Sequence, residues 1–305
     1  EVRSLFTVPA FPRVAMSRAV GAICKWRIPK FMRRPLWRRV ISKLGISEDT
    51  VGDDLQSFAT FLELFTRKLP TGSRPIAKNE HWVSPADGRL VEYAFVSPEL
   101  SLILKGAPYS VSEMLPGGCE ADYLGYQALQ IYLAPYNYHR YHAPCDMQII
   151  SAVTEPGDLQ PVDPALMRRS MRVMKTNRRI LLHCVDAKQR PFALLYVGAL
   201  NVGGIRFGFD DSLGAGPWQH SARTYDPPAK LNKGDDMGCF EMGSTVVLFA
   251  PPQLQCRTQL DGTTIALEDF LFADEQYLKF YCSRQQLLWL VQQFFFLLAL
   301  IQLVF

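Results

Sequence analysis

Near its C-terminal end the chain contains the stretch Met242-Gly243-Ser244-Thr245-Val246-Val247-Leu248-Phe249-Ala250. Its apolar run predicts a β-strand, and the Gly-Ser pair places a hydroxyl group at the mouth of that strand. Upstream lie Asp87, directly before Gly88, and the two histidines His139 and His142. These are the side chains of an Asp/His/Ser arrangement, in which a carboxylate orients an imidazole and the imidazole takes a proton from a serine.

Similar apolar runs, separated by Gly, Pro and Asp turns, fill the chain from about residue 81. They are Arg89–Phe95, Leu129–Leu133, Met147–Val153, Ile180–Val185, Pro191–Val197, Val202–Phe209 and Thr245–Ala250. This pattern predicts a β-rich catalytic domain over residues 81–285, interrupted by a short helix or ordered loop at Pro164–Thr176. The predicted fold class is α+β, with N-terminal amphipathic helices followed by a β-rich core that resembles a barrel or a sandwich.

Residues 1–80 read as a helical region with three amphipathic segments. The first, residues 13–27, ends at Pro29, and the second begins at Pro35 and is capped by Gly45. The third begins after Asp53 or Asp54 and runs to Pro70. The apolar faces of the first two consist of Met16, Ala19, Val20, Ile23 and Trp26, and of Leu36, Trp37, Val40, Ile41 and Leu44.

The same region is strongly basic. Residues 1–45 hold eleven Lys or Arg and one acid, a net charge of +10 on a chain whose total is +4. A basic segment on an acidic body favours an anionic partner, either nucleic acid or acidic lipid. Two basic helices that each carry a Trp predict an interfacial membrane anchor at residues 13–44. The alternative is that their apolar stripes pack on the protein's own core.

The C-terminal end carries a second apolar feature. Residues 287–305 contain no charged side chain and three glutamines, and a transmembrane helix needs ~20 residues. The segment 286–305 is therefore a transmembrane helix, a tail buried against the body, or an artefact of the sequence.

The seven cysteines are widely spaced and include no Cys-x-x-Cys pair, so we expect reduced thiols. We also expect no metal site, because the histidine pair 139/142 has no third ligand at sensible spacing.

The serine could serve two chemistries. As a conventional nucleophile it would attack a substrate, although the Gly-x-Ser-x-Gly elbow of α/β-hydrolases is missing here. Alternatively, Ser244 could attack the carbonyl of Gly243, where the absence of a side chain permits a strained turn. An N-to-O acyl shift, β-elimination and hydrolysis would then leave a pyruvoyl group in place of Ser244. The residues alone do not choose between these two possibilities.

Ordered motifs along the chain resemble those of the phosphatidylserine decarboxylase family, in its pyruvoyl-dependent, type I-like form. The matching segments are Phe61–Leu69, Arg74-Pro75-Ile76, Ser84-Pro85-Ala86-Asp87-Gly88, Tyr132–Pro144, Glu155-Pro156-Gly157-Asp158-Leu159, Val197–Gly203 and Met237–Thr245. They cover roughly residues 61–252. The sequence departs from the family pattern at Met242, usually Leu, and at Asn137, usually Asp, and the match thins after Pro251.

This resemblance implies a carboxy-lyase that converts phosphatidylserine to phosphatidylethanolamine and CO₂ through a Schiff base with the pyruvoyl group. It implies self-cleavage between Gly243 and Ser244, giving a β chain of residues 1–243 and an α chain of residues 244–305. Asp87 and His142 would pair with Ser244 for that cleavage, and His139 would give a proton to the product carbanion. A homodimer is expected, and no nucleic-acid partner.

The resemblance also implies a membrane location, either the mitochondrial or the bacterial inner membrane. The residues found in the motifs favour the mitochondrial inner membrane. The start at Glu1, which suits a trimmed presequence, favours it as well. Two alternatives to the decarboxylase stay open: a serine hydrolase using Asp87, His142 and Ser244 on an intact chain, and a non-catalytic lipid-binding β-domain.

Overall fold

Helices dominate the N-terminal part of the structure. A computed structural model describes residues 13–52, 54–76, 82–98, 101–104, 107–117, 120–160, 162, 173–200, 204–215, 218–241, 244–256, 264–266 and 269–274. Its helices are α1 (Arg13–Cys24), α2 (Lys30–Leu44), α3 (Phe61–Phe65), α4 (Val111–Met114) and α5 (Val173–Thr176), with 3₁₀ turns at Glu48–Thr50 and Glu120–Tyr123. Within these ranges, no helix combines the length and the apolar character that a bilayer crossing requires.

The strands form one large antiparallel sheet and three smaller ones. They are β1 (Trp82–Val83), β2 (Gly88–Phe95), β3 (Ser101–Leu104), β4 (Ala107–Ser110), β5 (Gln127–Leu133), β6 (Arg140–His142), β7 (Met147–Glu155), β8 (Arg179–Asp186), β9 (Pro191–Gly198), β10 (Ile205–Phe207), β11 (Ser221–Leu231), β12 (Asp236–Phe240), β13 (Ser244–Ala250), β14 (Leu254–Cys256), β15 (Thr264–Ile265) and β16 (Phe270–Asp274). The large sheet has the order β11-β7-β8-β9-β13-β5-β2-β15, and the others are β10-β12-β6, β1-β16-β14 and the hairpin β3-β4.

Strand β13 lies inside the large sheet, between β5 and β9. Its first residue, Ser244, pairs with Leu133 of β5 and with Gly198 of β9. Successive residues of β13 enter opposite hydrophobic cores, Val246 on one face of the sheet and Val247 on the other. Because both faces are buried, the strand appears in the sequence as a continuous apolar run rather than as an alternating one.

The two faces of the large sheet are covered by different elements. One face packs against the sheets β1-β16-β14 and β10-β12-β6 through residues such as Trp82, Phe272 and Phe240. The other is covered by α4 and α5 through Met114 and Met174. This sandwich-like arrangement after N-terminal helices confirms the predicted α+β class. Among the described strands the large sheet stays open between β11 and β15, so the sandwich form is correct and the barrel form is not.

Two predicted helix starts are wrong. Helix α2 begins directly after Pro29, so Pro35 lies inside it rather than at its first position. The hydrogen bond that Pro35 cannot donate falls in an exposed turn, where water can satisfy the carbonyl. Helix α3 is a single turn capped by Thr60, whose Oγ1 accepts from the Glu63 N–H at 3.1 Å, and not by Asp54. Asp53, the other predicted cap, lies outside the described residues.

The apolar stripe of α2 packs against the protein itself. The sequence had left this open as the alternative to a stripe that faces a membrane. Trp37 and Ile41 are buried, and the Trp37 Nε1–H donates to the carbonyl of Phe58 at 2.9 Å. Gly45 caps the helix with a φ of 72°, as predicted. Four of the large apolar side chains that remain exposed lie around the junction of α1 and α2: Ile23 (66%), Trp26 (74%), Phe31 (80%) and Met32 (46%).

The longest strand, β11, was not predicted because it contains Pro227 and Pro228. It lies at the edge of the large sheet, and its register with β7 shifts between Thr224 and Ala229. At an edge bulge a proline removes no ladder hydrogen bond that the sheet needs.

Most of the predicted interior strands have bounds within two residues of those observed, since their apolar runs are long. The predicted tail 286–305 and most of Pro164–Thr176 lie outside the described residues.

Candidate active site

Two segments meet at the start of β13. Strand β5 ends at Leu133, the partner of Ser244, and the loop of residues 134–139 then turns back toward that end of the sheet. Strand β12 runs beside this loop, because the Phe240 N–H donates to the carbonyl oxygen of His139 at 2.9 Å. His139 and the backbone of Ser244 are thus held near the same end of β5. Met242 and Gly243 lie outside the described residues.

A third segment brings in Asp87. The turn of residues 84–87 precedes β2 and runs alongside β6: the His142 N–H donates to the Pro85 carbonyl at 2.8 Å, and Ala86 forms a β-bridge with Tyr141. Asp87, His139 and His142, all predicted as site residues, are therefore drawn together by hydrogen bonds between backbones. The next position, residue 88, requires a glycine because a Cβ there would lie only 2.7 Å from the Tyr132 carbonyl oxygen.

His139 is fully buried and neutral. Its ring stacks on Phe65 with the ring centroids 4.0 Å apart. Nε2 lies 3.0 Å from the Ala134 carbonyl oxygen, so Nε2 carries the hydrogen and Nδ1 holds a lone pair. Burial lowers the pKa of His139 to about 3, and the nearby charge of Arg67 adds to this effect. Within the described part of the chain, Nδ1 is buried without a hydrogen-bond partner.

His142 has both ring nitrogens occupied. Nδ1 lies 2.8 Å from the Gly234 carbonyl oxygen and Nε2 lies 3.0 Å from the hydroxyl of Tyr138. A carbonyl can only accept, so Nδ1 carries the hydrogen and Nε2 accepts from the tyrosine. Burial lowers the pKa of His142, although the charges of Asp236 and Asp87 favour the protonated ring. This neutral tautomer has its lone pair on Nε2, as a general base requires.

Asp87 is buried and paired with an arginine. Its Oδ2 lies 3.0 Å from Nη2 and 3.3 Å from Nε of Arg74. The carboxylate acts on His142 through its charge, while the hydrogen bonds that orient the imidazole come from Gly234 and Tyr138. The expected orienting role of Asp87 is thus shared with groups that the sequence did not single out.

Arginines from the segment after α3 and from β6 surround the histidines. Arg140 donates to Asp236 through Nε at 2.8 Å and Nη2 at 2.7 Å. Arg67 is buried and donates through Nε to the Thr50 carbonyl at 2.9 Å. The roles of Arg67, Arg74 and Tyr138 were missed, and the available signal was that all three lie within the motif segments that carry the family resemblance.

The basic helices also reach this region. Glu241, three residues before Ser244, accepts a hydrogen bond from Arg206 Nε at 3.1 Å, and its other carboxylate oxygen lies 4.0 Å from Nζ of Lys25. Lys25 directly follows α1 and is next to the exposed Trp26. The junction between α1 and α2 is therefore in contact with the strand end that leads to Ser244. Among the described residues, no three His, Cys, Asp or Glu side chains are grouped to hold a metal ion.

Comparison with known proteins assigns the chain to a class. A family model described as phosphatidylserine decarboxylase matches residues 61–266. The phosphatidylserine decarboxylase proenzyme of Helicobacter pylori (strain Shi470) is 34% identical over 240 residues, which cover 77% of this chain and 88% of that protein. The proenzyme of Anaeromyxobacter sp. (strain K) is 35% identical over 249 residues, 79% of this chain and 86% of that protein.

A mitochondrial relative matches as well. The protein named phosphatidylserine decarboxylase proenzyme, mitochondrial, of Rattus norvegicus is 30% identical over 269 residues, which cover 78% of this chain and 66% of the rat protein. These matches define an enzyme of the carboxy-lyase class. More narrowly, the chain belongs to the phosphatidylserine decarboxylase family.

The burial of His139 predicts a measurable pH dependence of stability. In the unfolded chain a histidine gains its proton below about pH 6.5, whereas the folded His139 stays neutral until its pKa of about 3. Stability should therefore fall as the pH drops below 6.5. Between pH 7 and pH 5 the free energy of unfolding should fall in both proteins. We expect the fall to be about 2 kcal/mol smaller in His139→Gln than in the wild type, measured by urea denaturation. The exposed His220→Gln is the control, and an equal pH dependence in all three proteins would contradict a neutral His139.

Proposed function

We propose that this chain is a phosphatidylserine decarboxylase that first cuts itself between Gly243 and Ser244 and then uses a pyruvoyl group made from Ser244. The observation that carries the proposal is the neutral His142, whose Nε2 lone pair lies in the region where the loop after β5, β12 and the turn 84–87 converge. The family supplies the reaction, phosphatidylserine to phosphatidylethanolamine and CO₂. The proenzyme names of the relatives agree with a processing step.

The cut can be written with all atoms balanced. Ser244 Oγ attacks the carbonyl carbon of Gly243 and gives its proton to Nε2 of His142, and that proton then goes to the departing amide nitrogen, which leaves an ester. Removal of the α-proton of residue 244 expels the Gly243 carboxylate and leaves a dehydroalanine. Water converts this residue to a pyruvoyl group and ammonia. The charge of Asp87 stabilises the imidazolium that forms at His142.

The surroundings of His139 fit such a group. When present, a pyruvoyl carbonyl supplies an electrophile for a substrate amine and an electron sink for the departure of CO₂. Nδ1 of His139 is buried, holds a lone pair and has no partner among the described residues. It can therefore take a proton from the substrate's ammonium group and return it to the product carbon. The neutral ring requires this order, because His139 cannot donate from Nδ1 before it has accepted there.

The region of residues 13–44 is proposed to hold the enzyme at a lipid surface. Trp26 and Phe31 are more exposed than most large apolar side chains, and Lys25, Arg27 and Lys30 lie beside them. Exposed aromatic rings flanked by cations suit the interface of an anionic bilayer. The exact membrane, the homodimer and the partition into regions 1–80, 81–285 and 286–305 remain predictions from the sequence.

Replacement of the serine tests the proposed processing. We expect purified wild-type protein to run as two chains on a denaturing gel, and Ser244→Ala to run as one chain and to release no CO₂ from phosphatidylserine. Ser151→Ala, a half-buried serine on β7 of the same sheet, should cut and decarboxylate as the wild type does. A single wild-type chain that hydrolyses esters would indicate the serine hydrolase, and unchanged behaviour of Ser244→Ala would indicate a non-catalytic lipid-binding domain.

Vesicle binding tests the lipid-facing surface. We expect the double variant Trp26→Ser/Phe31→Ser to bind vesicles of phosphatidylserine and phosphatidylcholine at least tenfold more weakly than the wild type, because two interfacial rings are lost. Phe95→Ser is the matched control, since Phe95 is 57% exposed but ends β2 opposite Gln127, at the other end of β5 from Leu133. Sedimentation with the vesicles measures both. Equal losses in the two variants would argue against a docking surface at the α1–α2 junction.

A further inference from the structure

We propose that Tyr138 is a positioning residue for His142: its hydroxyl holds Nε2 as a hydrogen-bond acceptor and so keeps the imidazole in the one tautomer that can take the Ser244 proton. This inference rests on the self-cleavage proposed above and turns the observed contact of Tyr138 with His142 into a role in that reaction. The contact is direct, with Tyr138 Oη 3.0 Å from His142 Nε2.

The direction of this hydrogen bond follows from its neighbours. The Gly234 carbonyl, 2.8 Å from Nδ1, requires a hydrogen on Nδ1 and therefore leaves Nε2 without one in the neutral ring. Between Tyr138 Oη and His142 Nε2, which lie 3.0 Å apart, the phenol therefore holds the shared hydrogen. The hydroxyl hydrogen is then directed to Nε2.

The tyrosine is well suited to remain a donor. Its side chain is only 2% exposed, and its ring lies 5.8 Å from the imidazole, centroid to centroid, at an angle of 34°. Burial raises the pKa of Tyr138 far above its usual value, so the phenol keeps its hydrogen at neutral pH. Rotation of the hydroxyl about its C–O bond can release Nε2 without movement of the ring.

The charges around His142 show why such a donor matters. Asp236 and Asp87 favour the imidazolium, while burial and the charge of Arg140 oppose it. A hydrogen bond donated to Nε2 exists only in the neutral ring. It therefore opposes protonation, as burial and Arg140 do. Without it, the two carboxylates would draw a proton onto Nε2 at higher pH, and a protonated Nε2 cannot accept a proton from serine.

The test is the pH dependence of self-cleavage in Tyr138→Phe, which keeps the ring and removes the hydroxyl. Unprocessed protein is released from denaturant at different pH values, and the rate of appearance of the two chains is followed on gels. We expect the acid limb of the rate profile to move upward by about half to one pH unit, the loss of one hydrogen bond to the neutral ring, with the plateau at high pH within about threefold of the wild type. Tyr136→Phe, an exposed tyrosine of the same loop, should reproduce the wild-type profile.

A second measurement does not depend on cleavage. In the uncut Ser244→Ala chain, NMR titration of His142 should show a higher pKa when Tyr138→Phe is added. An unmoved acid limb with an unmoved pKa, or a loss of rate that is equal at all pH values, would overturn the positioning role. If the wild type never cuts, the proposed function fails, yet the titration still decides whether Tyr138 controls His142.

Discussion

The pairing of β13 between β5 and β9 is the constraint on which the site depends. Ser244 is the first residue of β13, and its ladder partners Leu133 and Gly198 are the last residues of their own strands. Because both faces of β13 are buried, a shift of its register by one residue would exchange the two cores, and such slippage is strongly disfavoured. The end of the ladder therefore fixes where the serine backbone lies, and the loop after β5 returns the histidines to that place.

Burial then sets the chemistry available to the two histidines. Both are neutral, for the same physical reason, but they expose different nitrogens: Nε2 of His142 accepts from Tyr138, and Nδ1 of His139 has its lone pair in a buried space. The segment of residues 61–76 encloses them, with Phe65 stacked on His139 and Arg74 paired with Asp87. The last part of the helical region is thus a wall of the site as well as a connection to the basic helices.

The sequence predicted those parts of this arrangement that depend on local pattern. Interior strands such as β9 and β13 were found because an apolar run bounded by turn residues is typical of a strand buried on both faces, and the Gly45 cap because glycine adopts a positive φ easily. Strand β11 was missed, since its prolines are tolerated only at an edge that the sequence does not reveal. The start of α3 was placed too early because Thr60, rather than an aspartate upstream, caps this one-turn helix by accepting from the Glu63 N–H.

The candidate site residues were predicted from motif resemblance, whereas their contacts could not be. No spacing rule relates Gly234 to His142 or Arg74 to Asp87, because these contacts arise from the folding of distant segments onto one another. The mass of the smaller fragment of the purified protein tests the central claim most directly. We predict a fragment that begins at residue 244 and is lighter by one ammonia than the product of simple hydrolysis, because the serine has become a pyruvoyl group. A fragment with an intact N-terminal serine, or an uncut chain, would contradict the account.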